Sequence, residues 1–195
     1  MTTTQELSAG REGPVRRRPV RASVSALCYN LALVPMGLAA LVAAVTGRSV
    51  RVYGWWRSLA AAATHLDPGE QRTHPSPARI GSHAVASIAL GLVGLVEVGL
   101  IALMVMRGAL FGLVTDGNYT QSWGGPSRAG AWIVHFLVSV PVAAAAVVLA
   151  HLIVWLHVRL TARLSGQQVE RRVMPIALVV VAATALFVTA FLRQL

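Results

Sequence analysis

Glu97 is the one acidic side chain inside a long apolar run of this chain, near the middle of GLVGLVEVGLI. A charged carboxylate is costly in such surroundings, so it calls for a bound proton or for hydrogen bonds inside a helix bundle. Two chemistries follow: the titrating group of a proton-linked transport or channel subunit, or a neutral side chain that ties helices together. Gly94 lies three residues earlier on the same helical face and leaves room for a partner backbone, and no second intramembrane charge is available to pair with Glu97. That balance favours the tie. His65, His74 and His83 recur every nine residues beside Asp67 and Glu70, a spacing that matches neither a helical ligand pair nor a zinc finger. His135 and His151 sit 16 apart on one helix, too far for two axial haem ligands. No nucleophile or metalloprotease spacing occurs either, so the sequence points to no enzyme, no metal and no cofactor.

The other chemically distinctive stretch is GNYTQSWGGPSRAGAWIVH, residues 117 to 135, the most glycine-rich and aromatic part of an otherwise Ala-, Val- and Leu-dominated chain. Gly124 and Gly125 permit positive φ, Pro126 fixes φ and restricts its predecessor, and Ser127 can cap the helix that follows. Trp123 and Trp132 suit a membrane interface. Two readings apply: a tight cap that only starts a helix, or a ligand or partner turn built from Tyr119, Trp123, Gly124, Gly125, Pro126, Trp132 and His135. Asn118-Tyr119-Thr120 also fits a glycosylation acceptor, a three-residue pattern that carries almost no weight by itself.

These residues need elements to hold them, and composition says of what kind. Hydrophobic residues make up 55% and charged residues 12% of 195, with mean hydropathy +0.63. The class is membrane. All 17 basic residues are Arg, which with the Ala and Val content points to a GC-rich bacterial genome. The net charge of +10 does not indicate nucleic acid, because the arginines fall between apolar runs, where they orient the chain and meet anionic lipid. Four apolar segments, about 24–46, 84–106, 131–156 and 173–192, each approach the ~20 residues a spanning helix needs. The expected fold is therefore an all-α polytopic helical membrane protein, with a disordered Arg-rich tail over 1–22, a membrane domain over 23–195 and a polar loop at 47–83. All five tryptophans fall at or beyond segment ends. A signal peptide over the N-terminal region is the weaker alternative, because Asn30 and Pro35 interrupt its apolar core. Cys28, the single cysteine, reads as a small buried residue.

Segment 131–156 carries small side chains at Ser139, Ala143, Ala146 and Ala150, spaced to share one face. Segment 84–106 has Ser87, Gly91 and Gly94. Such positions let helices approach closely in lipid, so these two segments are expected to pack as an antiparallel hairpin.

Orientation follows the arginines. If all four segments span, eight lie on one side and nine on the other, and the rule has no answer. If the first segment re-enters, by a bend at Pro35-Met36-Gly37 or because residues 49–66 pack back against it, the bend yields 14 inside against 3 outside. Loop 107–130 is then extracytoplasmic.

The residues Asn118, Tyr119, Trp123, Gly124, Gly125, Pro126, Ala129, Gly130, Ala131, Trp132 and His135, followed by WLHVRLTARLSG, resemble the second half of the N-terminal sensor domain of actinobacterial sensor histidine kinases. The likeness covers about residues 80–166. It departs from that family in having one apolar run and an Arg57-bearing segment in place of the first helix hairpin, and in ending with segment 173–192 and no transmitter domain. The resemblance implies a multi-pass cell-membrane protein of sensor-like or partner-binding type whose signal leaves through a separate histidine kinase or other membrane protein. A proton-linked subunit using Glu97 and a purely structural membrane subunit are the alternatives.

Overall fold

The computed structural model describes residues 19–48, 51–64, 66–70, 73–115 and 117–193. Among these there is no strand: α1 (Pro19–Val45), α2 (Val52–Ala63) and α3 (Pro77–Met104) are followed by a π-helical turn (Val105–Ala109), a short α4 (Phe111–Val114), a 3-10 turn (Tyr119–Gln121), α5 (Arg128–Leu164) and α6 (Val173–Leu192). Four helices, α1, α3 with its π turn, α5 and α6, are long and apolar enough to cross a membrane. The chain is an all-α polytopic membrane protein, as hydrocarbon requires of a backbone that must bond to itself.

Capping extends the helices beyond their apolar runs. Ser76 Oγ accepts from the Arg79 amide and Pro77 takes the first helical position, so α3 starts inside the expected polar loop. Ser127 Oγ accepts from the Gly130 amide at 3.0 Å and starts α5, as its position predicts. The tail expected over 1–22 is shorter than that, because Pro19 to Ala22 form the first turn of α1. Its remainder lies outside the described residues.

The bend considered at Pro35-Met36-Gly37 does not form. α1 runs unbroken through Pro35. A proline inside a helix forfeits one backbone bond, whereas a hairpin within hydrocarbon would strand several polar groups. α1 lies antiparallel to α3 at close range: Gly37 faces Ala84 and Ile88, Gly91 faces Leu33 and Val34, and Gly94 faces Asn30. α5 is antiparallel to α3 in turn, with Thr161 beside His83, His157 beside Ser87 and Ser139 against Gly108. The expected α3–α5 pairing is present, but its small residues are divided. Gly91 and Gly94 serve α1, Ser87 serves α5, and Ala150 presents its carbonyl to α1. Cys28 is exposed, not buried, because the inner face of α1 is made by Ala26, Tyr29, Asn30, Leu33 and Gly37.

The return expected from residues 49–66 is made by α2. Its Val52 and Trp56 pack with Ala40 and Ala43, and its Ala60 reaches the cluster of Ala26, Tyr29 and Leu33. Twelve residues span about 18 Å, too little to cross. The chain then turns back to the end where it began: Tyr53 donates to the Gly69 carbonyl, Gln167 donates to the Pro68 carbonyl, and the Thr73 amide donates to the Ser165 carbonyl. The start of α1 and the turn before α5 consequently share one end of the bundle. With α1 crossing, the arginines divide eight to nine and the 14-to-3 asymmetry is lost.

Candidate functional site

The turn that precedes α5 is built from its own short-range bonds. Asn118 Oδ1 accepts from the Thr120 amide, and the Tyr119 hydroxyl donates to the Thr115 carbonyl. Gly124 has φ +81°, the left-handed conformation its type allows. Gly125, expected to need the same freedom, does not adopt it. Its requirement is closeness, since a side chain there would run into the Tyr119 carbonyl. Pro126 follows in a cis peptide. Trp132 donates from its indole to the Ala109 carbonyl and lays its ring on Gly112, while Arg128 bonds the Gly112 carbonyl. These contacts fasten the turn to the end of α3.

Between turn and bundle lies a cavity of about 550 Å³. The turn supplies Gln121, Ser122 and Trp123, the π turn supplies Arg107, α4 and the residue after it supply Phe111 and Thr115, and α5 supplies His135 and Ser139. His135 stacks on Phe111 with ring centroids 3.8 Å apart and 8° between planes. Of the residues singled out in the turn, Trp123 and His135 line this cavity, while Tyr119, Gly124, Gly125, Pro126 and Trp132 shape the loop that closes it. Arg107 and Phe111 were not found from sequence. The π turn at Val105–Ala109 widens one helical turn beside the cavity, a distortion that recurs at functional sites.

Glu97 occupies a three-helix junction. Asn30 Nδ2 on α1 donates to Glu97 Oε2 on α3 at 3.3 Å and to the Ala150 carbonyl on α5 at 3.2 Å. Glu97 is 2% exposed and Asn30 0%. Glu97 Oε1 and Asn30 Oδ1 have no hydrogen-bond partner. A cavity of about 350 Å³ beside the junction is lined by Ala146, Ala145, Leu149 and Phe187, with Thr184 as the one other polar side chain. Ala143 is half-buried, and Ala150 is fully packed.

A second buried network joins the same helices nearer α2. The Tyr29 hydroxyl lies 2.7 Å from His157 Nδ1, and His157 Nε2 lies 2.9 Å from Ser87 Oγ. Ser87 and Thr161 each give their hydroxyl proton to the carbonyl four residues back, those of His83 and His157. Each hydroxyl oxygen is then left to accept from an imidazole, which assigns the Nε2–H tautomer to both histidines. Tyr29 donates to His157, His157 to Ser87, and His83 to Thr161, with Trp56 of α2 edge-on to the His83 ring at 4.3 Å. These bonds link α1, α3 and α5 and make the network a structural tie that fixes helix register, while the buried Trp56 indole N–H beside it has no partner. Tyr29 and Asn30 were missed as polar partners, and Trp56 as a ring contact of His83, because nothing local marks them.

Of the expected histidine series, His65 lies outside the described residues and His83 belongs to this network. Among the described residues no three His, Cys, Asp or Glu side chains converge on one point. His151 bonds the Val147 carbonyl and is exposed. No family model matches the chain, and no curated protein or solved structure is similar to it.

Proposed function

We propose that this integral membrane protein is of sensor-like or partner-binding type, without catalytic machinery, and that its turn cavity receives a small anionic molecule with a flat apolar body. The observation that carries this reading is the cavity of about 550 Å³ that Arg107, His135 and Trp123 share, a size in the range of ligand sites. Arg107 supplies a guanidinium for a carboxylate or phosphate, and the Phe111–His135 stack supplies a flat wall. The likeness of the turn sequence to bacterial sensor domains supports the same reading. The signal then passes to a separate membrane protein such as a histidine kinase, in the cell membrane, with loop 107–130 outside. The nine-to-eight arginine division has the right sign for that orientation but too small a size to carry it.

The proton-linked alternative is disfavoured by the Asn30 bond to Glu97 and by an adjoining cavity with only Thr184 to continue a polar path. A purely structural subunit would leave the turn cavity without a ligand.

The test is thermal stability of the full chain in mild detergent against a panel of small aromatic carboxylates and phosphate esters. A compound at about 100 times its Kd should stabilise by about 2.7 kcal/mol. Arg107→Gln and Trp123→Ala should abolish that shift. A panel without effect, or shifts that survive both substitutions, would sink the ligand reading.

A further inference from the structure

At the opposite end of α3 and α5 from the turn, a cavity of about 280 Å³ opens between α3, α5 and the start of α6. Arg79 and Ser82 of α3 and Arg163 of α5 form its polar rim, with His83 at its buried side. Leu160 and Met174 belong to its apolar wall. Ser82 Oγ gives its proton to the Arg79 carbonyl, so the donors left to a guest are the two guanidinium groups. No carboxylate lines the cavity, and the one ion pair among the described residues, Arg57 with Asp67, involves neither arginine. His83 Nε2 is held by Thr161, while its Nδ1 has no partner among the described residues.

The position of this cavity adds a second constraint. It sits where the apolar run of α5 gives way to HVRLTARL and where the apolar run of α6 begins at Val173. The cavity therefore lies at the ends of three helices long and apolar enough to span, where a spanning helix meets lipid headgroups. Two arginines from different helices converge above, and apolar side chains continue below. Guanidinium groups match phosphate oxygens through paired N–H donors, which a point cation does not.

We infer that this cavity binds a phosphate anion, and that the headgroup of an anionic phospholipid supplies it. The arginines grip the phosphate, and the Leu160 and Met174 side accommodates the start of an acyl chain. This site is independent of the turn cavity and of the function proposed for it.

The experiment uses the full chain in mild detergent, with retention of phosphatidylglycerol and phosphatidylcholine measured by native mass spectrometry over a lipid titration. The wild-type chain should prefer phosphatidylglycerol. Arg79→Gln and Arg163→Gln should each weaken its retention about fivefold, and the double substitution about 25-fold. Arg193→Gln, at the far end of α6, should leave it unchanged. Inorganic phosphate at millimolar concentration should not compete. Competition by inorganic phosphate that disappears in the double variant would confirm the anion site but overturn the lipid as its source. Equal retention of the two lipids, or unchanged phosphatidylglycerol retention in the double variant, would overturn the site itself. Should the double variant fail to fold, Arg79→Lys with Arg163→Lys keeps the charge and loses the paired donors, and an unchanged retention there would refute the guanidinium recognition.

Discussion

Replacing Gly91 with alanine tests a close contact on the α1–α3 seam. A Cβ there would lie 2.7 Å from Val34 Cγ2, 2.9 Å from the Val34 backbone nitrogen and 3.0 Å from Leu33 Cβ. Val34 can turn its methyl aside, but the backbone nitrogen moves only with α1. Restoring a contact of at least ~3.5 Å requires a separation of about 0.6 Å, and gaps of that size forfeit roughly a quarter of each dispersion well along the seam. Overpacking of this kind costs about 1–3 kcal/mol, against which alanine returns up to ~1 kcal/mol of helix propensity. Gly99 on the same helix meets nothing within 4 Å. Gly99→Ala therefore gains the propensity without the clash. Both variants gain the propensity, so thermal unfolding in a fixed detergent should place Gly91→Ala about 3–9 °C below Gly99→Ala, with Gly99→Ala at or above the wild type. If the two variants melt together, the α1–α3 seam is not where the structure puts it.

Ala150→Leu should destabilise more than Ala146→Leu, because Ala150 is fully packed whereas Ala146 borders a cavity that accepts added volume; Val148→Leu, on a side chain 69% exposed, should be neutral, and equal melting of all three would place the small-residue stripe against lipid. Sequence spacing puts Ser139, Ala143, Ala146 and Ala150 alike at the seam, and in the structure Ala150 is the most tightly packed of them while Ala143 is only half-buried. Glu97→Gln should keep the stability of the three-helix junction, and a double-mutant cycle of Asn30→Ala with Glu97→Ala should return a coupling of about 0.5–1.7 kcal/mol; zero coupling would dissolve the tie. Tyr29→Phe, which removes only the hydroxyl bonded to His157, should cost about 1 kcal/mol and leave the helical circular dichroism unchanged. For topology, a cysteine at Ser122 in a Cys28→Ser background should react with an impermeant maleimide on intact cells, and one at Gln168 should not. Ser165, three residues earlier, is 0% exposed and would be silent on either side.

The spanning segments, the cap at Ser127 and the left-handed Gly124 were legible in the sequence because each depends on residues within a turn or two of itself. Hydropathy measures transfer from water, and a cap needs only the next few amides. The same locality explains what was misread. Lipid accepts every apolar helix face equally, so a stripe of small residues declares that some helix comes close without saying which. Gly91 and Gly94 were assigned to α5 on those grounds, and α1 took them, because the α1 backbone needs the space that glycine leaves. The polar partners were beyond reach for a related reason. Asn30 and Glu97 are 67 residues apart and Tyr29 and His157 are 128 apart, so no pattern in the chain connects them. The sequence by itself determined that this chain must be helical, where its helices cross and where its chemically unusual turn lies. Only the tertiary structure decided which faces meet, that α2 turns back before crossing, and that Arg107 joins His135 around a cavity. Those choices depend on close approach and hydrogen-bond satisfaction between distant residues, and both are properties of pairs.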